Sequence, residues 1–299
     1  MTGSLRVATV NVNGVRAAMR KGMASWLDAA DVDVLTLQEV RAQTEHLTGL
    51  LPGWNLVHDE SPVPGRAGVA VLSRLPLSEP RLLSDTDERM RGRWVETRVD
   101  TPGAPIMVVS AYVHSGEVGT ARQDAKYAFL DAMTTRMAEL TASGLPTVVT
   151  GDLNIAHRER DIRNARGNRG KAGFLPRERA YLDVLLAPAG RTVPGPDESP
   201  EAGQGWVDVG RRFHGDIDGP YTWWSTRGRA FDTDTGWRID YQLATAGLAA
   251  RVADYRVVRA PAWDARWSDH APVVVDYAPD SGVAPDAAAA RTTTPEETR

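Results

Sequence analysis

A carboxylate and a carboxamide stand two residues apart in the middle of this chain, directly after an apolar, β-branched run. The run covers residues 146–150, and Asp152 and Asn154 follow it across Gly151. Because glycine lets the backbone turn sharply, both side chains are predicted to leave the carboxyl edge of a buried strand, where open α/β folds place active sites. Such a pair can hold one small polar target, for example a phosphate or the water that attacks it. A turn or a helix cap would use the same residue types.

Further polar groups end the first two strand-like runs. Asn11 and Asn13 close the first run, and alternation along a strand sends both side chains to the same side. Asn13 could equally cap the helix that follows. Glu39 closes the second run, where a glutamate is often merely solvated but is also a hard oxygen ligand of the kind that Mg²⁺ prefers.

Two acidic residues and a histidine lie near the end of the chain, again at boundaries of strand-like runs. Asp240 stands in the segment Trp-Arg-Ile-Asp-Tyr, and Asp269 directly precedes His270. An Asp-His pair is common by chance on a surface. In a catalytic interpretation, one carboxylate binds a metal, while another fixes the tautomer of the imidazole and keeps its proton available for a phosphate oxygen.

All of these candidate groups are oxygens or imidazoles at strand ends, and together they fit a metal-assisted phosphodiesterase. The chain has no Gly-rich phosphate loop of the Walker type, no His-Glu-x-x-His zinc helix and no Gly-x-Ser-x-Gly elbow. It also has no cysteine, which excludes disulfides, thiolate metal sites and cysteine nucleophiles. The candidates are Asn11, Glu39, Asp152, Asn154, Asp240, Asp269 and His270.

The elements that must position these groups alternate irregularly along the chain. Strands are predicted at residues 6–10, 32–37, 68–73, 94–99, 106–112, 147–150, 238–244, 251–258 and 273–277, and helices at 15–30, 120–140 and 175–186. Strands follow one another without helices near 54–112 and 206–277, which is not a simple βαβ repeat. We therefore predict an α/β (α+β) fold with four layers, an α/β/β/α sandwich of two packed mixed β-sheets flanked by helices. Residues 1–278 are expected to form a single domain, with a polar loop at 194–205 and a disordered tail at 279–299.

The bulk composition is that of a globular protein. The chain is 42% hydrophobic and carries a formal net charge of −4, which does not by itself indicate nucleic-acid binding. Arginines nevertheless cluster at 89–93 and 158–179, and local basic stripes can bind phosphates, although a solvated surface would look the same. No apolar run reaches the roughly 18 residues of a membrane span, and no signal-peptide core is present, so a cytoplasmic location is expected.

Eight short motifs occur in an order that is typical of one family. They lie at residues 11–16, 37–39, 110–113, 151–156, 173–179, 221–225, 236–241 and 268–270, and they include Tyr-Thr-Trp-Trp-Ser and Trp-Arg-Ile-Asp-Tyr. From residue 6 to about residue 277, the chain resembles the exonuclease III family of abasic (AP) endonucleases, within the endonuclease/exonuclease/phosphatase superfamily. The resemblance implies a DNA repair phosphodiesterase that cleaves duplex DNA 5′ to abasic sites and leaves a 3′-hydroxyl. It also implies 3′-5′ exonuclease and 3′-phosphodiesterase activity at the same centre.

The resemblance further implies a role for each matching position. Catalytic groups would be Tyr112, Asp152, Asn154, Asp240 and His270. Metal ligands would be Asn11, Glu39, Asp152, Asn154 and Asp269. DNA contacts would come from Asn13, Arg122 and Lys126, and a tight pocket for an extruded abasic sugar from Trp223, Trp237 and Ile239. The implied cofactor is Mg²⁺, which Mn²⁺ can replace, as one ion or two. The implied partner is double-stranded DNA with abasic sites or 3′ ends, bound by a monomer that does not associate with membranes.

Two segments depart from the family pattern. His114-Ser115-Gly116 stands where Pro-Asn-Gly is common, so Ser115 replaces an amide that would hold DNA phosphate, and residues 227–235 are peculiar to this chain. The sequence also leaves alternatives open. These are a nonspecific DNase or an RNA 3′ exonuclease of the same superfamily, and a non-catalytic nucleic-acid-binding homologue. At least one of Trp223 and Trp224 is expected to belong to the sheet core.

Overall fold

The computed structural model describes residues 4–280 of the chain. Its strands are β1 (Leu5–Asn11), β2 (Val34–Gln38), β3 (Asn55–Asp59), β4 (Val69–Ser73), β5 (Leu77–Leu82), β6 (Trp94–Val99), β7 (Ile106–Tyr112), β8 (Thr147–Asp152), β9 (Thr192–Pro194), β10 (Pro200–Ala202), β11 (Val207–Asp208), β12 (Asp240–Ala244), β13 (Val252–Val257) and β14 (Val273–Tyr277). Its α-helices are α1 (Val15–Ala18), α2 (Ala24–Ala30), α3 (Thr44–Leu50), α4 (Ala121–Ala142), α5 (Ala165–Asn168), α6 (Pro176–Leu186), α7 (Val209–His214) and α8 (Ala246–Ala249).

Two six-stranded mixed sheets form the centre of the fold. The first has the order β13-β14-β1-β2-β4-β3, and the second has the order β11-β12-β8-β7-β6-β5. In each sheet one central pair is parallel, β1 with β2 and β7 with β8, while the other neighbours are antiparallel. The carboxyl ends of the parallel strands are therefore available to build a site at one rim of each sheet.

Apolar clusters fill the spaces between four layers. Between the sheets, Val7 of β1 belongs to the same buried cluster as Val108 of β7. Helices α4 and α6 cover the second sheet with residues such as Phe129 and Leu182, and the helices from α1 to α3 cover the first sheet with residues such as Leu47. The predicted α/β/β/α sandwich is thus confirmed.

A short ladder of buried hydroxyl and amide groups links the two sheets beneath the site. The hydroxyls of Thr36 and Thr150 lie 2.6 Å apart. Gln38 Nε2 donates to Ser110 Oγ at 3.0 Å, and that hydroxyl donates to the carbonyl of Leu37 at 2.9 Å. Because buried polar groups are costly when unpaired, these contacts favour one alignment of the sheets and so fix the distance between their rims.

The structure agrees with the nine predicted strands to within two residues at each end, but it corrects three local expectations. The helix expected at 15–30 is broken, because Gly22 adopts φ +118° within a π-helical turn, Met19–Met23. The predicted loop at 194–205 includes strand β10, which pairs with β9 just before the loop in a small hairpin. Strands β3 and β5 were not predicted, and both are polar strands at sheet edges, where no buried face demands apolar alternation.

The end of the chain is only partly described. Residues 281–299, most of the predicted tail, lie outside the described residues, so the tail and the domain boundary at 278 stay predictions. Between residues 4 and 280, no helix combines the length and the apolar character needed to cross a membrane.

Candidate active site

Strand register brings several of the candidate groups to one rim. Asp152 at the end of β8 is directly opposite Tyr112 at the end of β7 and Asp240 at the start of β12. Asp240 reaches this rim because β12 runs antiparallel to β8 and therefore begins where β8 ends. On the facing sheet, β1 ends at Asn11. The candidate site thus spans the gap between the two sheets.

The backbone turns sharply where these strands end. Gly151 has φ +130°, and a Cβ placed there would lie 2.0 Å from the carbonyl oxygen of Ala111, so only glycine fits. Asn13, Glu39 and Asn154 take left-handed conformations with φ of 46–50°. Non-glycine residues hold such angles only where surrounding contacts fix them, and strain of this kind clusters at functional sites.

Asn11 links the two sheets at the centre of the cluster. Its Nδ2 donates to Glu39 Oε1 at 3.0 Å and to Asp152 Oδ2 at 2.9 Å. The Tyr112 hydroxyl donates to Glu39 Oε1 at 2.7 Å, and Asn154 Nδ2 donates to Asp152 Oδ2 at 3.1 Å. These five side chains, which come from both sheets, therefore form one continuous set of hydrogen bonds.

His270 faces two carboxylates. Its Nδ1 lies 2.9 Å from Asp240 Oδ2, and its Nε2 lies 3.8 Å from Asp152 Oδ2. Burial alone would lower the pKa of His270, but the charges of Asp240 and Asp152 outweigh burial and raise the pKa to about 10. Burial raises the pKa of Asp152 to about 7, although His270 opposes that shift. At neutral pH the pair therefore consists of a cationic imidazole beside a carboxyl group that can exchange a proton.

Asp269 lies at the open side of the site and stays ionised. Asn13 Nδ2 donates to its Oδ1 at 2.9 Å, and Trp223 Nε1 donates to its Oδ2 at 3.0 Å. Burial tends to raise the pKa of Asp269, but the His270 cation and these two donors lower it overall. Asn13, expected from the resemblance to contact DNA, is thus engaged with a site carboxylate.

The donor set suits a hard divalent cation. Glu39 and Asp269 supply carboxylate oxygens and Asn11 supplies an amide oxygen, the ligands that Mg²⁺ takes in proteins. A second group of ligand atoms, from Asp152, Asp240 and His270, lies within 4.8 Å of one another. That group includes an imidazole already held by Asp240, so it is better described as a proton-transfer network, and we favour the Glu39 side for the metal.

Arg41 is a site residue that the sequence analysis missed. Its guanidinium pairs with Glu39 Oε2, on the carboxylate that we favour as the metal ligand. Arg93, from the predicted basic cluster, stacks over the Tyr112 ring with its Cζ 5.0 Å from the centroid. The spacing of Arg41 two residues after Glu39 is the only sequence feature that could have suggested the pairing.

Two indoles border the site beyond His270. The rings of Trp223 and Trp237 meet edge to face with centroids 6.1 Å apart, and the Trp223 ring is 6.4 Å from the His270 ring. Ile239 is buried in the apolar cluster beneath both indoles, so it supports the expected pocket from behind. Trp224 is buried at 1% exposure, but it packs with Tyr221 and Phe231 in a small cluster whose buried residues lie outside the strands, so it belongs to a local core and not to the expected sheet core.

A buried arginine that was not predicted fixes the segment that carries Trp237. Arg238 is 1% exposed, and its guanidinium lies 2.7 Å from Asp161 Oδ1 and 2.7 Å from Asp208 Oδ2. Gly173 leaves room for the neighbouring indole, because a Cβ there would lie 2.9 Å from Trp237. The pocket wall is therefore held by a charge network and by one glycine.

Lys126 does not have the position expected of a DNA contact. Its side chain is fully buried, its Nζ lies 2.8 Å from Glu178 Oε1, and it donates to the carbonyl oxygen of Asn154 at 2.9 Å. Burial lowers its pKa, and Glu178 opposes that shift. The expectation was wrong because the sequence shows a lysine in an amphipathic helix but not the buried glutamate that faces it.

The exposed arginines remain candidates for phosphate contact. Arg122 lines a cavity of about 500 Å³ together with Glu39 and Tyr112. A separate cavity of about 1040 Å³ is lined by arginines of the 158–179 cluster, but its lining does not include the candidate site carboxylates Glu39, Asp152, Asp240 and Asp269. Several of those arginines are already paired, for example Arg169 with Glu159 at 2.6 Å.

The chain is similar in sequence to known nucleases. The profile of the Endonuclease/Exonuclease/phosphatase family matches residues 8–270. An exodeoxyribonuclease from Bacillus subtilis is 30% identical over 271 residues, which cover 90% of this chain and 98% of the relative. The DNA repair nuclease APEX1 from Danio rerio is 28% identical over 281 residues, 91% of this chain and 82% of the relative.

Solved structures show the same fold. An AP endonuclease from Archaeoglobus fulgidus superposes with a TM-score of 0.76 at 24% identity, covering 91% of this chain and 99% of that chain. The 3′-5′ exonuclease NExo from Neisseria meningitidis superposes with a TM-score of 0.75 at 26% identity and the same coverage. The family profile spans most of the chain, and the Bacillus subtilis relative is matched over nearly its full length. The chain therefore belongs to the endonuclease/exonuclease/phosphatase family, in the branch of the exonuclease III and AP endonucleases.

Proposed function

We propose that this chain, a nuclease of the family named above, is a Mg²⁺-dependent DNA repair phosphodiesterase. It acts as a monomer on duplex DNA, cleaves 5′ to abasic sites to leave a 3′-hydroxyl, and removes nucleotides or blocking groups from 3′ ends. The observation that carries the proposal is the contact of His270 with Asp240 beside Asp152, next to the indole of Trp223. This arrangement puts proton-transfer groups beside an aromatic pocket.

Glu39 and Asp269, with the amide of Asn11, would hold the metal. When bound, a divalent cation neutralises charge on a scissile phosphate and stabilises the leaving oxygen. The hydrogen bonds from Tyr112 and Asn11 orient the Glu39 carboxylate, and those from Asn13 and Trp223 orient Asp269. Such outer contacts fix the ligand geometry in advance. The choice of Mg²⁺, with Mn²⁺ as a substitute, and the number of ions belong to the proposal.

Asp152 would orient and deprotonate the attacking water. Its pKa near 7 lets it accept a proton at physiological pH, which is where a general base is most effective. Asn154 donates to it from both its backbone N–H, at 2.9 Å, and its side chain, so the carboxylate keeps one orientation. The preorganisation lowers the cost of positioning the water.

His270 would stabilise charge on the phosphoryl oxygens, and Tyr112 would join it when its single hydroxyl proton turns from Glu39 to the bound phosphate. Asp240 fixes the imidazole through Nδ1, which leaves the Nε2 proton available beside Asp152. Burial and the nearby carboxylates raise the pKa of Tyr112, so its hydroxyl stays a donor at all working pH values. Donors held in place before the reaction account for much of the acceleration of phosphoryl transfer.

Trp223 and Trp237 would select the abasic sugar. We expect this edge-to-face pair to present an apolar surface against which a sugar without a base fits, whereas an intact nucleotide would clash with it. The similarity to the 3′-5′ exonuclease NExo supports a second candidate function, in which 3′ ends of intact DNA are the main substrate.

The decisive assay is single-turnover incision of a labelled duplex that carries one tetrahydrofuran abasic analogue. We expect a single cut 5′ to the analogue, a 3′-hydroxyl product, dependence on Mg²⁺ and complete loss with EDTA. His270→Ala should lower the rate at least roughly 100-fold, the cost of removing one transition-state donor. His46→Ala, which changes an exposed histidine on α3, is the matched control.

Other outcomes would reject the proposal in distinct ways. Equal cleavage of a matched intact duplex would indicate a nonspecific DNase, and preferential trimming of RNA would indicate an RNA 3′ exonuclease. Binding of abasic DNA without metal-dependent cleavage would indicate a non-catalytic homologue.

A further inference from the structure

A cavity that the proposed chemistry does not use opens beside the site. Its volume is about 670 Å³, within the roughly 300–1,000 Å³ that small-molecule sites occupy. Its lining joins Asn13 and Asp269 of the site to Trp263, Trp267 and Lys21. We call it the aromatic cavity. Because the aromatic cavity shares two residues with the site, a DNA strand that is bound at the site can extend into the cavity.

Trp263 is unusually exposed for its type. It lies on a 3₁₀ turn, Trp263–Ala265, and 52% of its surface is open to solvent. Arg266 supports the turn, since its Nε donates to the Trp263 carbonyl at 3.3 Å and its Cζ lies 5.7 Å from the indole centroid. The same guanidinium packs on the ring of Phe231 at 4.6 Å. The indole is therefore anchored on a fixed arginine while much of it stays uncovered.

The rest of the cavity offers an apolar wall and positive charge. Trp267 stacks at a tilt on Trp26 of α2, with centroids 5.5 Å apart, so the wall is rigid. Lys21 is exposed at the rim, and Arg266 adds a second cation. Asp264 also lies on the rim, while Asp269 belongs to the site. An aromatic face beside cations matches a nucleotide, which combines a flat base with a phosphate.

We propose that the aromatic cavity holds an unpaired nucleotide of the bound DNA, with its base stacked on Trp263 and its phosphate near Lys21. This inference rests on the proposed function, because it assumes that DNA occupies the neighbouring site. A base inside a duplex has no free face, so only a frayed, flapped or single-stranded nucleotide can stack there. The protein should therefore prefer DNA with unpaired nucleotides beside the scissile phosphate, whatever their sequence.

The test measures binding without cleavage. Fluorescence anisotropy in EDTA compares a forked duplex, unpaired on both strands at one end, with a blunt duplex of equal paired length. Loss of one base–aromatic stack predicts that Trp263→Ala lowers affinity for the forked duplex about 5- to 150-fold more than for the blunt duplex. Trp263→Phe should keep most of the preference. Phe213→Ala, which removes an aromatic side chain of 43% exposure outside this cavity, is the matched control and should keep all of it.

A second readout reports stacking directly. With 2-aminopurine at the unpaired positions, the wild-type protein should quench the probe and Trp263→Ala should not. The inference would be overturned if Trp263→Ala lowered the affinity for forked and blunt duplexes equally, or if Phe213→Ala lowered the preference for the forked duplex as much as Trp263→Ala does. Unchanged quenching of 2-aminopurine by Trp263→Ala would also overturn it. Because these measurements need no metal or cleavage, a failure here leaves the incision assay intact, and a failure of incision leaves these results interpretable.

Discussion

Lys126 and Glu178 form an ion pair that is buried behind the site, with both side chains 0% exposed and 2.8 Å apart. Lys126→Met removes the cation while it keeps much of the side-chain volume, and Glu178 is left as a buried carboxylate without a counter-charge. Removing one member of a buried ion pair lowers the free energy of unfolding by roughly 3–5 kcal/mol. For a chain of this size, that loss lowers the Tm by about 6–10 °C. Incision should also slow, because Lys126 holds the carbonyl of Asn154.

Urea unfolding followed by circular dichroism measures the loss. The double variant Lys126→Met/Glu178→Gln should recover part of it, because a glutamine at position 178 can still accept from the backbone N–H groups of Gly173 and Leu175. Lys171→Met, which changes an exposed lysine, should stay within about 0.5 kcal/mol of the wild type. The contrary result would be a loss of less than 1 kcal/mol in the unfolding free energy of Lys126→Met, together with DNA binding that depends less on salt than in the wild type. That result would restore the interpretation of Lys126 as a phosphate contact.

Three further predictions test other parts of the structure. Asp240→Asn removes the main charge that raises the pKa of His270 to about 10, so that pKa should fall; each pH unit above the lowered pKa reduces the cationic fraction about tenfold, so the loss in a pH–rate profile should be small near pH 6 and grow as the pH rises, and an unchanged profile would contradict the pairing. Burial raises the pKa of Asp59 from 3.8 to about 6, so its ionised form is disfavoured in the fold and stability is lost as the pH rises from 4 to 6. The unfolding free energy of Asp59→Asn relative to the wild type should therefore grow by about 2 kcal/mol over that range, and a flat difference in urea titrations would refute the shift. Gly151→Ala forces a Cβ to within 2.0 Å of the Ala111 carbonyl oxygen at φ +130°, so incision and thermal stability should both collapse; near-normal values would show that the turn relaxes.

The sequence was sufficient for the features that depend on apolar periodicity and on strand ends. Strand β8 is apolar and β-branched and ends in Gly-Asp, and the structure indeed places Asp152 at its carboxyl edge. The same logic placed Asn11 and Glu39 at the ends of β1 and β2. Edge strands were harder, because β3 and β5 are only half-buried and carry polar residues on both faces. A strand without a buried face leaves little periodicity to detect.

Side-chain partners could not be predicted from one sequence. Lys126 and Arg238 are ordinary charged residues in the sequence, yet both are buried because carboxylates from distant segments meet them. Arg41 pairs with Glu39 where both residues take left-handed backbone conformations, with φ of 51° and 50°, which the sequence does not reveal. Such contacts depend on tertiary geometry, in which residues far apart in the chain become neighbours.

A crystal structure with a duplex that carries a tetrahydrofuran abasic analogue, grown with Ca²⁺ to prevent cleavage, tests the central claim most directly. The account predicts one scissile phosphate in reach of His270 Nε2, a divalent ion on the Glu39 carboxylate, and an ordered water against Asp152. It also predicts the abasic sugar against the indoles of Trp223 and Trp237. A phosphate bound away from these groups, or an ion held by Asp152, Asp240 and His270 instead, would contradict it.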